Sequence, residues 1–199
     1  MPGLDRSIVE HQLPIKPGYR PYAQHPRRID ATIVDQVKVE IERMIKAGFI
    51  RPYRYATWIS SIVLVWMKNG KIRICIDFRD LNRAMPMDEY PMPIVEMLVN
   101  AAAGHKMMSF LDGNAGYNQI FMAKEDVYKT AFRCPQGLFE FVVMTFGLRN
   151  ARATYQRAMN YIFHDLIGRL VEVYIDDVVV KSVFQDSHLA DLHRVLERT

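Results

Sequence analysis

Apolar positions along the chain change their period several times, and each change marks an element. Residues 1–29 show little periodicity and carry Pro2, Pro14, Pro17, Pro21 and Pro26 beside the basic pair Arg27-Arg28, which predicts an extended, loosely packed arm. From Asp30 the spacing turns helical: Ile33, Val37, Ile41, Met44 and Ile45 share a face, with Asp30 as cap and Gly48 as stop. Residues 58–67 and 71–78 are rich in β-formers and flank Lys68-Asn69-Gly70. An Asn-Gly pair tolerates the positive φ of a tight turn, so these runs predict a protruding β-hairpin.

Pro86, Pro91 and Pro93 mark a connection to a helix over 94–103, which Gly104 ends. Residues 106–111 read as a strand running into Asp112, and 130–134 with 138–144 as a second hairpin around Pro135-Gln136-Gly137. Tyr155, Met159, Ile162, Phe163 and Leu166 predict a helix from 150 to about 167, closed by Gly168. Residues 171–182 are β-branched on both sides of Asp176-Asp177, and Leu189, Leu192, Val195 and Leu196 sketch a last helix. Helices interleaved with hairpins argue for an α+β fold.

Composition narrows the class. Half of the residues are hydrophobic and 24% charged, the balance of a folded globular protein, and 199 residues suffice for one domain or two closely joined lobes. A formal charge of +4 suits polyanionic partners, although the excess is modest. Cys75 and Cys134 lie far apart without C-x-x-C spacing, which favours neither a zinc site nor a disulfide framework and fits a reducing compartment. No apolar run approaches the ~20 residues that span a bilayer, so an intracellular, soluble chain is expected.

The segment V-E-V-Y-I-D-D-V-V-V places two carboxylates inside what is otherwise buried strand sequence. Adjacent aspartates repel, and withdrawing them from water is costly unless a cation or donors compensate. Neighbouring strand residues point to opposite faces, so Asp176 and Asp177 converge only in a tight turn, which an ordinary surface Asp-Asp turn would also satisfy. A second strand, M-M-S-F-L, also ends in an aspartate, Asp112, followed by small residues. Together these carboxylates suit a hard divalent ion, which takes oxygen ligands and completes its shell with water and substrate phosphates. Such sites serve phosphoryl transfer.

The chain also resembles the reverse transcriptase of gypsy-type LTR retrotransposons, especially those of plants. The blocks that carry the likeness are M-P-G-L-D, L-P-I-K, A-G-F-I, N-G-K-I-R-I-C-I-D-F-R-D-L-N, D-E-Y-P-M-P, L-D-G-N-A-G-Y-N-Q-I, K-T-A-F-R-C-P, F-G-L-R-N-A, T-Y-Q-R-A-M-N and V-Y-I-D-D-V-V-V-K-S. The resemblance implies a right-hand fold of fingers and palm, with an antiparallel palm sheet packed on helices and no thumb. Residues 1–29 would be an N-terminal arm, 30–93 mainly fingers, and 94–199 mainly palm with a fingers segment interleaved at about 118–150.

By the same resemblance, Asp112, Asp176 and Asp177 would bind two Mg²⁺ ions, with Mn²⁺ as a substitute, and carry nucleotidyl transfer from a dNTP to a primer 3′-hydroxyl. Tyr117 would exclude a 2′-hydroxyl. Arg73, aided by Lys71, would grip phosphates, Ala115 and Gly116 would let the backbone approach the triphosphate, and Phe146 would pack near the incoming sugar and base. Arg152, Gln156 and Tyr174 would lie near the template and primer. Partners would be an RNA or DNA template with its primer, dNTP, and the thumb, connection and RNase H regions of a polyprotein beyond Thr199. The setting would be a cytoplasmic retrotransposon particle, or the nucleus.

Three departures stand against the pattern: Trp66 and Met67 where polar or lysine residues are usual, Thr145 in M-T-F-G-L, and Arg152 in N-A-R-A-T. With the truncation, they keep open a catalytically inactive remnant that binds nucleic acid. An RNA-dependent RNA polymerase shares the carboxylate logic, but Tyr117 argues against it.

Overall fold

The computed structural model describes residues 3–68, 70–113 and 116–198. In chain order the elements are β1 (Glu10–His11), α1 (Val34–Lys46), β2 (Ile50–Pro52), β3 (Ser60–Trp66), β4 (Ile72–Ile76), α2 (Arg79–Ala84), α3 (Val95–Ala102), β5 (Met107–Asp112), β6 (Phe121–Met122), β7 (Phe132–Cys134), β8 (Gly137–Phe141), α4 (Ala151–Ile162), β9 (Val171–Tyr174), β10 (Asp177–Ser182) and α5 (His188–Leu196). Short 3-10 turns lie at Ala31–Ile33, Gly116–Gln119 and Val127–Thr130. The chain divides into two compact units, Met1–Met87 with Tyr117–Ala151, and Asp88–Gly116 with Arg152–Thr199.

The first unit is built on a five-stranded sheet of order β2-β8-β7-β3-β4. Helix α1 buries Val37, Ile41 and Met44 against it, and Gly48, at φ +74°, stops the helix as its position requires. Asp30 caps the preceding 3-10 turn by accepting from the Thr32 N–H at 2.9 Å. Ile45, counted among the buried face, is exposed, because the core takes a narrower stripe than the periodic set offers. The expected first hairpin is β3 against β4, with Ile62 opposite Ile76 and Trp66 opposite Ile72. Its turn has Gly70 at φ +76°, while Asn69 lies outside the described residues. The second hairpin turns at Pro135-Gln136, with Cys134 opposite Gly137. Phe132 packs between Phe139 and Phe141, ring centroids 6.0 and 5.2 Å away.

Residues 17–23 of the arm are exposed, as loose packing predicts, but its earlier part is anchored. Strand β1 pairs in parallel with β6, and Leu13 is 0% exposed. The Leu13 N–H donates to the Asp126 carboxylate at 2.6 Å and its carbonyl accepts from Lys129 Nζ at 2.8 Å, while Lys129 and Asp126 pair at 2.5 Å. An ion pair thus supplies the backbone partners that a strand would otherwise give, and a buried leucine anchors the segment.

The second unit holds a three-stranded antiparallel sheet of order β5-β10-β9. One face presents Val171, Val173, Val178 and Val180 to the core. Helix α5 docks on that face through His188, whose ring nitrogens lie 2.8 Å from Ser109 Oγ and 3.0 Å from Ser182 Oγ. Its buried positions are His188 and Val195, whereas the expected Leu189 and Leu196 are exposed. On the opposite face Lys181 and Glu172 form a buried ion pair at 2.6 Å, and Lys181 also donates to the Ala101 carbonyl at the end of α3 at 2.7 Å. Helix α3 itself buries no residue. Helix α4 ends at Ile162 rather than near 167, where turns take over before Gly168. Among the described residues, no helix is long and apolar enough to cross a membrane.

Candidate active site

Asp112 ends β5 and Asp177 begins β10, and the two are cross-strand partners. Opposed antiparallel residues have Cα atoms roughly 4.5–5.5 Å apart and side chains on one face, so pairing alone brings these carboxylates together. Tyr174 faces Asp177 across the other ladder, which leaves Ile175 and Asp176 as a two-residue turn. Ile175 sits at φ +55°, a left-handed conformation that a β-branched residue rarely adopts. The Asp176 carbonyl accepts from the Gly113 N–H at 2.9 Å, which ties the turn to the residue after Asp112.

This corner gathers the negative charges of Asp112, Asp176 and Asp177. Asp176 Oδ1 is buried with no hydrogen-bond partner. Burial first, then the neighbouring charges of Asp112 and Asp177, push its carboxyl above the ordinary aspartate range. Among the described residues, no group of three or more carboxylate, histidine or cysteine side chains is placed to hold a metal ion. A hard divalent cation completes its shell with water and substrate phosphates, so it needs fewer protein ligands than such a group. An orphaned oxygen between like charges fits such an ion, which supplies the missing counter-charge.

Other expected residues fall in separate places. In the first unit Arg73 and Lys71 are exposed, and the Arg73 guanidinium lies 5.3 Å from the centroid of the Phe146 ring. Phe146, 48% exposed, covers Tyr117, which is 4% exposed, with ring centroids 4.6 Å apart. In the second unit Arg152 is exposed on α4, and Tyr174 is half-buried at the turn. Ala115 lies outside the described residues.

Two of the expected residues have structural roles. Gln156, expected near the template, is 0% exposed, and its side chain holds the β9–β10 turn: Oε1 accepts from the Ile175 N–H at 2.8 Å and Nε2 donates to the Val173 carbonyl at 3.2 Å. A residue so enclosed has no surface to offer a nucleic acid. Gly116 has a packing reason for its lack of a side chain: an added Cβ would meet Tyr155 ring carbons at 2.7 and 2.9 Å. Gly116→Ala is therefore expected to cost about 1–3 kcal/mol through overpacking, measured by urea unfolding. Sequence reasoning took Tyr155 only as a core position, and the two glycines of G-N-A-G were the signal for the ring beneath them.

Residues 66–199 match the family model for reverse transcriptase (RNA-dependent DNA polymerase). The chain belongs to the reverse transcriptase family. It is 35% identical over 170 residues to the retrovirus-related Pol polyprotein from transposon gypsy of Drosophila melanogaster, covering 83% of this chain and 16% of that protein. It is 32% identical over 159 residues to the Transposon Tf2-3 polyprotein of Schizosaccharomyces pombe, covering 80% of this chain and 12% of that polyprotein. The chain thus spans a small part of the polyproteins it matches. The native prototype foamy virus protease-reverse transcriptase shares the fold with a TM-score of 0.82 at 19% identity, over 95% of this chain and 25% of that one. A similar likeness, TM-score 0.81 and 18% identity over 91% of this chain and 24% of that one, extends to the foamy viral enzyme in complex with an RNA/DNA hybrid. The α+β architecture is that of reverse transcriptase fingers and palm.

Proposed function

We propose that this chain is the fingers-and-palm part of an RNA-directed DNA polymerase, extending a primer annealed to an RNA or DNA template. The observation that carries the reading is the Asp112–Asp177 cross-strand pair with the partnerless Asp176 oxygen beside it. In this reading Asp112, Asp176 and Asp177 hold two Mg²⁺ ions, or Mn²⁺ in their place. When bound, such ions activate the attacking 3′-hydroxyl and stabilise charge on the phosphoryl and leaving oxygens.

The second unit, as palm, contributes the carboxylates, with Tyr174 toward the primer and exposed Arg152 toward a template phosphate. In the first unit, as fingers, Arg73 offers a planar guanidinium to phosphate oxygens, assisted by Lys71. Phe146 gives an exposed ring for the sugar and base, and Tyr117 beneath it sets the depth available to a 2′-substituent. Base identity is carried by pairing with the template, not by side chains. The setting is a cytoplasmic retrotransposon particle, with the thumb, connection and RNase H regions of a polyprotein as partners.

The test is single-nucleotide extension of a DNA primer on an RNA template at high protein concentration with Mg²⁺ or Mn²⁺. Extension supports the reading. Salt-sensitive binding with no extension would leave a nucleic-acid-binding remnant instead. Tyr117→Val is expected to lower the preference for deoxynucleotides over ribonucleotides by roughly tenfold or more, read from competing incorporation.

A further inference from the structure

The side chains that define the turn before Asp177 come from one place on α4. Gln156 reaches both ends of the turn's entry: its Oε1 accepts from the Ile175 N–H at 2.8 Å, and its Nε2 donates to the Val173 carbonyl at 3.2 Å. The second Nε2 hydrogen goes to Asn160 Oδ1 at 3.0 Å. With the oxygen and both amide hydrogens engaged, the group has one orientation, since a flip would aim its NH₂ at the Ile175 N–H. Asn160 is oriented in turn by donating to the Tyr90 hydroxyl at 2.6 Å. The Arg157 guanidinium lies 4.5 Å from the Tyr90 ring centroid and pairs with Asp88 at 2.9 Å. A connected set of polar groups therefore runs from Asp88 and Tyr90 through α4 to the strained residue Ile175.

Such a φ persists only where the surroundings over-determine it. Ile175 has no glycine's freedom and no side-chain hydrogen bond of its own, so its amide is the handle by which it is held. Tyr155, the residue before Gln156, acts on the other half of the corner. Its hydroxyl would lie 2.8 Å from a Cβ placed on Gly113, so its ring supports the backbone that follows Asp112. The Gly113 N–H joins the two halves through the Asp176 carbonyl.

We infer that Gln156, backed by Tyr155, is the positioning residue of the carboxylate corner, holding Ile175 in its left-handed conformation so that Asp176 stands beside the Asp112–Asp177 pair. The inference rests on the proposed role of these carboxylates as cation ligands, and its structural half is testable without that role. It makes the T-Y-Q of the α4 motif a support for the site rather than a contact with nucleic acid.

The test uses the full chain, amide hydrogen exchange at Ile175 and Mn²⁺ affinity by electron paramagnetic resonance. Gln156→Met keeps the volume and loses the hydrogen bonds; Gln156→Glu keeps an acceptor for the Ile175 N–H. In the Met variant, exchange at Ile175 is expected to accelerate on the order of tenfold or more while Val178 and Val180 in the ladder stay protected, and Mn²⁺ affinity is expected to fall about tenfold. In the Glu variant Ile175 protection is expected to persist. Acceleration shared equally by Ile175 and the ladder amides, or unchanged Mn²⁺ affinity in the Met variant, would overturn the positioning role. If the Met variant does not fold, the Glu variant decides, since an unprotected Ile175 there overturns it. A wild-type chain that binds no Mn²⁺ would defeat the proposed function, and the exchange comparison would still judge the clamp.

Discussion

Asp176→Asn is expected to reduce primer extension by on the order of 10³-fold or more, while making the cation-free protein more resistant to heat. Both effects follow from the same local charge. Asp176 carries a buried oxygen with no partner, and its carboxyl is pushed up by burial and by Asp112 and Asp177 beside it. Removing the charge relieves that repulsion in a chelator. The wild type should in turn gain stability when Mg²⁺ or Mn²⁺ is added, because a ligand that binds only the folded state stabilises it by mass action, and the variant should gain far less. The pH dependence has a definite sign. The folded state holds the Asp176 proton more tightly than the unfolded chain, so its contribution in chelator is fully present below the ordinary aspartate value and is lost as pH rises through the elevated one. Melting curves against pH, with and without cation, check the slope and its flattening in Asp176→Asn. Equal melting in chelator for both proteins would contradict the charge argument.

Lys181→Met is expected to be the most damaging single change to stability, about 3–5 kcal/mol, because it strands Glu172 as a buried charge without its partner. The Lys181 side chain is buried between Glu172 and the Ala101 carbonyl, so its loss also frees the end of α3. That helix buries no residue, and Val95, Met97 and Val99 within it and Ile94 just before it are exposed, so packing offers little to replace the polar tether. Chemical denaturation measures the loss, and hydrogen exchange across α3 should show it loosening first. The double variant Lys181→Met with Glu172→Leu is expected to recover most of the stability, since a well-packed apolar pair often equals a buried ion pair. If the double variant is as unstable as the single, the tether to Ala101 matters more than the stranded charge.

Local signals carried much of the architecture. Lys68-Asn69-Gly70 and Pro135-Gln136-Gly137 announced hairpins because a tight turn needs particular residues, and Asp112 stood out because a strand led straight into it. Asp176-Asp177 read as a turn for the same reason, although the turn consists of Ile175 and Asp176, with Asp177 already in the strand. What stayed hidden was set by pairing across distance. The parallel ladder of β3 with β7, and that of β1 with β6, join segments with no turn between them to betray the pairing. Helical periods located α1 and α5 but overstated their buried faces at Ile45 and Leu189, since spacing says which residues share a side and not how wide a strip the core will take. Gln156 was hardest to read. A glutamine on an amphipathic helix commonly faces solvent, and only the fold reveals that its amide meets a turn some twenty residues later in the chain.

The order of strands in the smaller sheet bears on how the protein comes into being. Strand β10, the last of these three to be synthesised, lies in the middle, between β5 and β9. A growing polypeptide on the ribosome therefore carries two orphan edges until residues 177–182 emerge, and no ladder can zip before then. Cation affinity should accordingly arise late and abruptly during translation, and chains released before Ser182 should be substrates for chaperones and proteases instead of partially active intermediates.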